Sequence, residues 1–238
     1  QMCIRDSGWP QIGQRLNDTG KGQPVSLHRL PALPVAPCCL QTSDDFRHGQ
    51  PGVQWQWQAN PQRHWLTPHQ QGLRLRCALT SGDISLYRLP QLLLQKFPAE
   101  RFDVQTAVDP MFSQDGDEAG IAIYGQRFAA LCVTYRAANL QLALCHGWID
   151  DRGETHQQSI GLEEVSGCKE IELGFQVDYD GVVHFRYRLA QREWRQVTPQ
   201  FSAGAGKWIG ARMGIYARGE RENVKGSAIF SPFIVRLQ

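Results

Sequence analysis

Glycoside cleavage needs two carboxyl groups flanking one bond, and this sequence offers three adjacent acidic pairs: Asp44-Asp45, Asp150-Asp151 and Glu163-Glu164. Neighbouring residues on a strand point to opposite faces, so a pair in sequence is rarely a pair in space. A fourth acidic group, Asp115, Asp117 and Glu118 around Gly116, carries a turn signal. All these acids read as solvated loop groups, the usual state of charge in turns. The spacing of Asp115, Asp117 and Glu118 departs from a twelve-residue calcium loop, which leaves this turn and Asp45 as poor calcium candidates. No metal set and no catalytic residue is assigned, and no cofactor is expected. There is no G-x-S-x-G elbow, and no Cys or His spacing marks a zinc site or a dyad. Cys132 and Cys145 lie in apolar runs and are expected to be buried thiols rather than nucleophiles.

Sugar recognition is the other chemistry within reach. Aromatic faces stack on pyranose rings, while amides and guanidinium groups serve the hydroxyls. The sequence has seven Trp. Trp55 and Trp57 share a strand face with Val53, an arrangement expected in a core. Trp194 sits beside a turn, as a strand begins. Trp148, placed on a loop after Cys145, is the one most open to a ligand. His184, Arg186 and Arg188 share one face of a strand whose other face is apolar. They are candidates for gripping a saccharide or facing a partner domain, with a plain solvated face as the alternative.

The elements that must carry these residues are strands. Phe102, Val104, Thr106 and Val108 alternate with Asp103, Gln105, Ala107 and Asp109, a period of two with one buried face. Leu173, Phe175, Val177 and Tyr179 alternate with Glu172, Gly174, Gln176 and Asp178, and a second such run follows from Val183 to Leu189. Asp180-Gly181 between them predicts a hairpin with a two-residue turn. Short apolar runs at 120–124, 129–135 and 140–145, then 209–217 and 227–237, add further strands. Residues 88–97 are ambiguous, with Pro90 favouring an extended chain. No helical stripe persists from residue 45 onward, so the class is all-β: a two-sheet antiparallel β-sandwich with an irregular N-terminal extension. Pro10, Pro24, Pro31, Pro34 and Pro37 punctuate that extension.

The chain is 238 residues long with 42% hydrophobic and 20% charged residues, enough for a sizeable core. Its net charge of +2 carries no electrostatic footprint for nucleic acid or an anionic membrane. No apolar run is long enough to cross a bilayer as a helix. Residues 1–7, QMCIRDS, show no periodicity and no cap, and are read as a non-native prefix. With that start, compartment stays unassigned.

Several strings together carry a resemblance. They are TSDDF at 42–46, GVQWQWQANPQRHWLT at 52–67, LRLRC at 73–77, LLLQKFPAERFDVQTAVD at 92–109, DGDEAGIAIYG at 115–125, FRYRLAQREWRQV at 185–197 and MGIYA at 213–217. In this order they resemble the C-terminal concanavalin A-like sandwich of family 43 glycoside hydrolases, the β-xylosidase and α-L-arabinofuranosidase group. The front strings GWPQIG and NDTGKGQPV resemble the end of that family's catalytic propeller. The resemblance implies that residues 8–41 are a propeller end plus linker, and that 42–238 are an accessory jelly-roll sandwich. It implies a parent that cleaves xylosidic or arabinofuranosidic bonds in plant polysaccharide by inversion, in a periplasmic or secreted setting. The family's catalytic carboxylates lie on the propeller, so none maps onto this chain, and the resemblance implies that Trp194 packs in the sandwich as a structural residue. The implied partners are that propeller and a plant polysaccharide or oligosaccharide. The alternative is a free-standing carbohydrate-binding module. At the last strand, Ile229-Phe230-Ser231-Pro232-Phe233 stands where relatives often carry an acid.

Overall fold

The structure, a computed structural model, describes residues 14–16, 19, 22–24, 42–70, 72–79, 85–168, 170–220 and 225–238. The chain divides into two units, Gln1–Leu40 and Gln41–Gln238. In the first, β1 (Gln14–Leu16) pairs antiparallel with β2 (Gly22–Pro24). Residues 1–7 and most of 8–41 lie outside the described residues.

The second unit is built from strands. In chain order they are β3 (Gln56–Trp57), β4 (Leu66–His69), β5 (Gly72–Arg76), β6 (Leu93–Lys96), β7 (Phe102–Met111) and β8 (Glu118–Tyr124). Then come β9 (Arg127–Arg136), β10 (Asn139–Ile149), β11 (Thr155–Glu164), β12 (Ile171–Val177) and β13 (Val182–Leu189). The last are β14 (Arg195–Gln196), β15 (Phe201–Ser202), β16 (Arg212–Arg218) and β17 (Ser227–Leu237). They form two antiparallel sheets. The seven-stranded sheet runs β11-β10-β9-β8-β16-β6-β3, and the eight-stranded sheet runs β14-β13-β12-β7-β17-β5-β4 with β15 on β13. Among the described residues there is no α-helix, only 3-10 turns at Leu86–Arg88 and Tyr179–Gly181.

The alternation read from the sequence places the core. Phe102, Val104, Thr106 and Val108 are all buried, as are Val183, Phe185 and Tyr187. Their side chains meet Ile121, Ile123, Leu131, Val133, Leu142 and Leu144 of the other sheet in one apolar layer. A second, smaller layer lies on the far face of the seven-stranded sheet. There Ala122, Tyr124, Phe128, Ala130, Cys132 and Tyr216 are covered by Leu86, Leu89 and Leu92. That covering segment is the ambiguous 88–97 stretch: a 3-10 turn at its front, then β6.

The Asp180-Gly181 hairpin joins β12 to β13, with both residues at positive φ. Its loop is longer than two residues. Asp178 N–H donates to the Val182 carbonyl and Gly181 N–H to the Asp178 carbonyl. Two strand assignments change. β10 runs on to Ile149, so Trp148 is a strand residue rather than a loop residue. β11, THQQSIGLEE, escaped notice because it is a mostly exposed edge strand with no apolar alternation.

The entry and exit of the sandwich are tied by one carboxylate. Asp44 and Phe233 exchange backbone bonds of 2.8 Å each. The Asp44 carboxylate accepts from the Phe46 N–H at 2.9 Å, the Gly52 N–H at 2.8 Å and the Trp55 indole N–H at 2.9 Å. The Trp55 ring packs against Phe46 and edge-on to Phe233. Asp44 is therefore not the solvated loop acid expected from its pairing with Asp45. Trp55 is core as expected, Trp57 is half-buried against Trp65, and Val53 points fully to solvent. Asp44→Ala would strand these buried donors and should destabilise the fold by about 2–4 kcal/mol in urea unfolding. Asp45→Ala, which loses an exposed ion pair with Arg47 and an exposed bond from the Arg47 N–H, should stay within about 0.5 kcal/mol of wild type.

Candidate functional site

The acids of the 115–118 turn are the first candidates for chemistry; Asp115 is exposed, while Asp117 and Glu118 are buried. Asp117 is fully buried, and one carboxylate oxygen accepts from the Ser113 N–H at 2.8 Å and the Gln114 N–H at 3.3 Å. Glu118 lies on the far face of the seven-stranded sheet. It accepts the Tyr216 hydroxyl at 2.6 Å and pairs with Arg218 at 3.0 and 3.2 Å. The Glu118 charge holds Arg218 above its ordinary pKa, and burial pushes the Tyr216 hydroxyl well up. For Asp117 and Glu118 these are corrections to the solvated reading, because their oxygens are spent inside the fold, whereas Asp115 is exposed as expected.

His184, Arg186 and Arg188 do share the outer face of β13, as their alternation implies. Each finds a partner within its own sheet. His184 Nε2 lies 3.2 Å from Asp178, Arg186 pairs with Asp103, and Arg188 makes a two-pronged bond to Glu172. Arg186 is packed against β7 through Asp103, and Arg188 against β12 through Glu172. Both guanidinium groups lie over the Trp194 ring, 4.6 and 4.9 Å from its centroid. Trp194 thus covers the outer face, against Gly174, instead of entering the core between the sheets.

Trp148 is elsewhere, on β10 of the other sheet, so it does not join these three residues in a groove. It sits in a row across three strands. Arg127 of β9 and His156 of β11 are its registered neighbours on either side. The His156 imidazole stacks on the indole with ring centroids 5.0 Å apart and planes 20° apart. Gly147 allows this approach, since a Cβ there would fall 2.1 Å from the His156 carbonyl. Trp148 remains 48% exposed, at the rim of a cleft of about 620 Å³.

Behind His156 lies a group that sequence reasoning passed over. One ligand atom from each of Asp150, Glu154 and His156 falls within 4.8 Å of the others. The only signal was Asp150, Glu154 and His156 bunched around one β-turn. His156 Nε2 already bonds Asp150 at 3.0 Å. That bond, with the N–H of Glu154, holds the Asp150 carboxyl below its usual range, the wrong direction for a general acid. Sequence reasoning also missed Trp208, which stands 89% exposed beside exposed Ile209.

A family model for the β-xylosidase C-terminal concanavalin A-like domain matches residues 43–236. A β-xylosidase of Formosa agariphila is 24% identical over 247 residues, covering 91% of this chain and 38% of that protein. A putative β-xylosidase of Xylanibacter ruminicola is 24% identical over 211 residues, covering 88% of this chain and 37% of its own length. Among solved structures, a family 43 glycoside hydrolase with an engineered active site superposes with a TM-score of 0.77 at 18% identity. That match covers 94% of this chain and 48% of the other. The chain therefore spans well under half the length of the curated relatives it matches.

The thiols close the chemical inventory. Burial pushes Cys77 and Cys132 far up and Cys145 to about 12, with nearby acids adding to the rise. Alkylation by iodoacetamide at mildly alkaline pH should reach Cys168, which is partly exposed, and spare Cys77, Cys132 and Cys145 until the protein unfolds. Peptide mass spectrometry reads the pattern. Fast native labelling of Cys132 would show that the layer formed by Leu86, Leu89 and Leu92 opens.

Proposed function

The chain belongs to the family of β-xylosidase C-terminal concanavalin A-like domains, and on that premise we propose that its sandwich is a non-catalytic accessory domain of a glycoside hydrolase. The parent activity is cleavage of xylosidic or arabinofuranosidic linkages in plant polysaccharide, and the sandwich packs on the catalytic propeller. The observation that carries this reading is the fate of the acids. Asp44, Asp103, Asp117 and Glu118 are the buried carboxylates among the described residues, and each accepts hydrogen bonds or an ion pair that hold strands together. Hydrolysis of an acetal needs one carboxyl kept protonated and a second facing it across a substrate. The four buried carboxylates are instead engaged with N–H groups, a hydroxyl or guanidinium groups of their own fold, which supports the non-catalytic reading.

A docking surface supports the same reading. Trp208 and Ile209 project from the segment between β15 and β16, with Gly206 and Gly210 flanking them. A large indole left in water on an otherwise well-packed sandwich is surface that a neighbouring domain would cover. The names of two relatives, a β-xylosidase and a putative β-xylosidase, support the xylosidic part of this reading.

Two outcomes are expected. The chain should give no turnover of nitrophenyl β-xyloside or nitrophenyl α-L-arabinofuranoside, even at high protein concentration; clear turnover abolished by an acid-to-amide change in the sandwich would sink the accessory role. Trp208→Ser should leave the urea midpoint within the equivalent of about 0.5 kcal/mol, because the side chain is a surface group in the isolated chain. A large loss of stability would mean that the loop packs on its own domain.

A further inference from the structure

The hairpin that joins β10 to β11 gathers three ligating side chains at the edge of the seven-stranded sheet. Ile149 and Thr155 are its last registered pair, and Asp150 to Glu154 make the turn. Asp150 N–H donates to the Glu154 carbonyl at 2.9 Å, and Gly153, at positive φ, donates its N–H to the Asp150 carbonyl at 2.9 Å. Arg88 holds the turn from outside, donating to the Gly153 carbonyl at 3.2 Å. The Asp150 carboxylate divides its two oxygens. Oδ1 accepts the Arg152 N–H at 3.0 Å and the Glu154 N–H at 2.9 Å, which orients the group. Oδ2 faces His156 Nε2 at 3.0 Å. The plane of the imidazole is set in turn by its stack on Trp148. Glu154 brings a third ligand atom within 4.8 Å of the other two.

Charge sets this turn apart from the paired acids elsewhere. Glu163, Glu172 and Glu220 are neutralised by Arg195, Arg188 and Arg136. The other His–Asp pair, His184 with Asp178, has the Arg101 guanidinium 3.7 Å from its carboxylate. Among the described residues, neither Asp150 nor Glu154 forms an ion pair with Lys or Arg. Two carboxylates gathered this closely repel each other, and a neutral imidazole does not relieve that. A divalent cation does, and it also engages the imidazole nitrogen. Zinc holds nitrogen and oxygen ligands at about 2.0–2.2 Å, which places two of them roughly 2.9–3.5 Å apart. The 3.0 Å between Nε2 and Oδ2 lies in that range, with a metal taking the place of the shared proton. The exposed Glu154 side chain is free to turn toward them.

We propose that Asp150, Glu154 and His156 form a zinc site that clips the β10–β11 hairpin, with water completing the coordination. One imidazole with two carboxylates favours zinc, nickel and copper over calcium and magnesium, which prefer sets made of oxygen alone. Three protein ligands leave one position to solvent. At an exposed turn such a site exchanges its metal readily. Bound there, zinc ties the outermost strand of the sheet to its neighbour at the end that leads away from Ile149 and Thr155. The site is made by residues of one hairpin and does not rest on the accessory role.

Isothermal titration of the whole chain with zinc chloride tests the proposal, after iodoacetamide has blocked the accessible thiols that would compete for the metal. One saturable site is expected, weakened about tenfold or more in His156→Ala and in Asp150→Asn. The Asn amide oxygen can still accept the N–H groups of the turn, so that variant removes the charge and keeps the loop. His184→Ala, at the pair beside Arg101, should match wild type. Nickel on the same ligands should quench the emission of Trp148, and that quench should vanish in His156→Ala and in Trp148→Phe. Circular dichroism confirms that each variant is folded. No heat at millimolar zinc, or binding undiminished in His156→Ala, overturns the site. Calcium or magnesium bound more tightly than zinc overturns the imidazole as a ligand.

Discussion

Both sheets of the sandwich are completed by strands from the end of the chain, and everything else in the fold waits on them. β16 lies between β8 and β6, and β17 lies between β7 and β5. Strands β3 to β6 therefore have no backbone ladder to the long middle strands until β16 and β17 are in place. Such pairings close long loops before they are rewarded, and a sandwich of this kind folds slowly compared with a helical protein of its size. Asp44 acts at this seam. By holding Phe46, Gly52 and Trp55 against Phe233, it fixes where the first residues of the domain meet the last strand. Ser43 adds a second stitch, its hydroxyl accepting from the Val235 N–H at 2.9 Å.

The polar groups of this protein fall into two populations for the same reason. Where a sheet face is covered, by Trp194 on one side and by Leu86, Leu89 and Leu92 on the other, the charges beneath must be paired. Arg186 with Asp103, Arg188 with Glu172 and Arg218 with Glu118 meet that demand. Breaking one such pair leaves an uncompensated charge, which costs more than the pair itself contributes. Near Trp148, by contrast, Gln126, Arg127 and Gln200 stand exposed, where water can serve their polar groups and no partner is required.

The division between what could be read in the sequence and what could not follows from distance along the chain. The alternation at 102–109 and 183–189, the Asp180-Gly181 hairpin and the sandwich class depend on neighbours a few residues apart, and they were legible. The fate of Glu118 depends on Arg218, a hundred positions away, so a turn acid that looked solvated proved to be buried. The outer face of β13 was identified correctly as a face. The acids that pair its arginines, Asp103 and Glu172, belong to β7 and β12, which only the sheet order brings alongside. Trp194 reads like any core tryptophan in sequence, and only the arginines beneath it show which side of the sheet it took. β11 lacked any apolar alternation because an edge strand facing water needs none.

That edge has a consequence for the molecule among its own copies. β11 presents ten residues of backbone with one side unpaired, long enough to recruit a strand from another molecule. Its side chains are mainly amides, hydroxyls, carboxylates and an imidazole, with Ile160 and Leu162 as the apolar exceptions. Two copies meeting edge to edge would have to strip water from Gln157, Gln158, Glu163 and Glu164, and bring like charges together, for little apolar gain. The polar strand that hid itself from pattern reading is what keeps an open sheet from growing into a fibre.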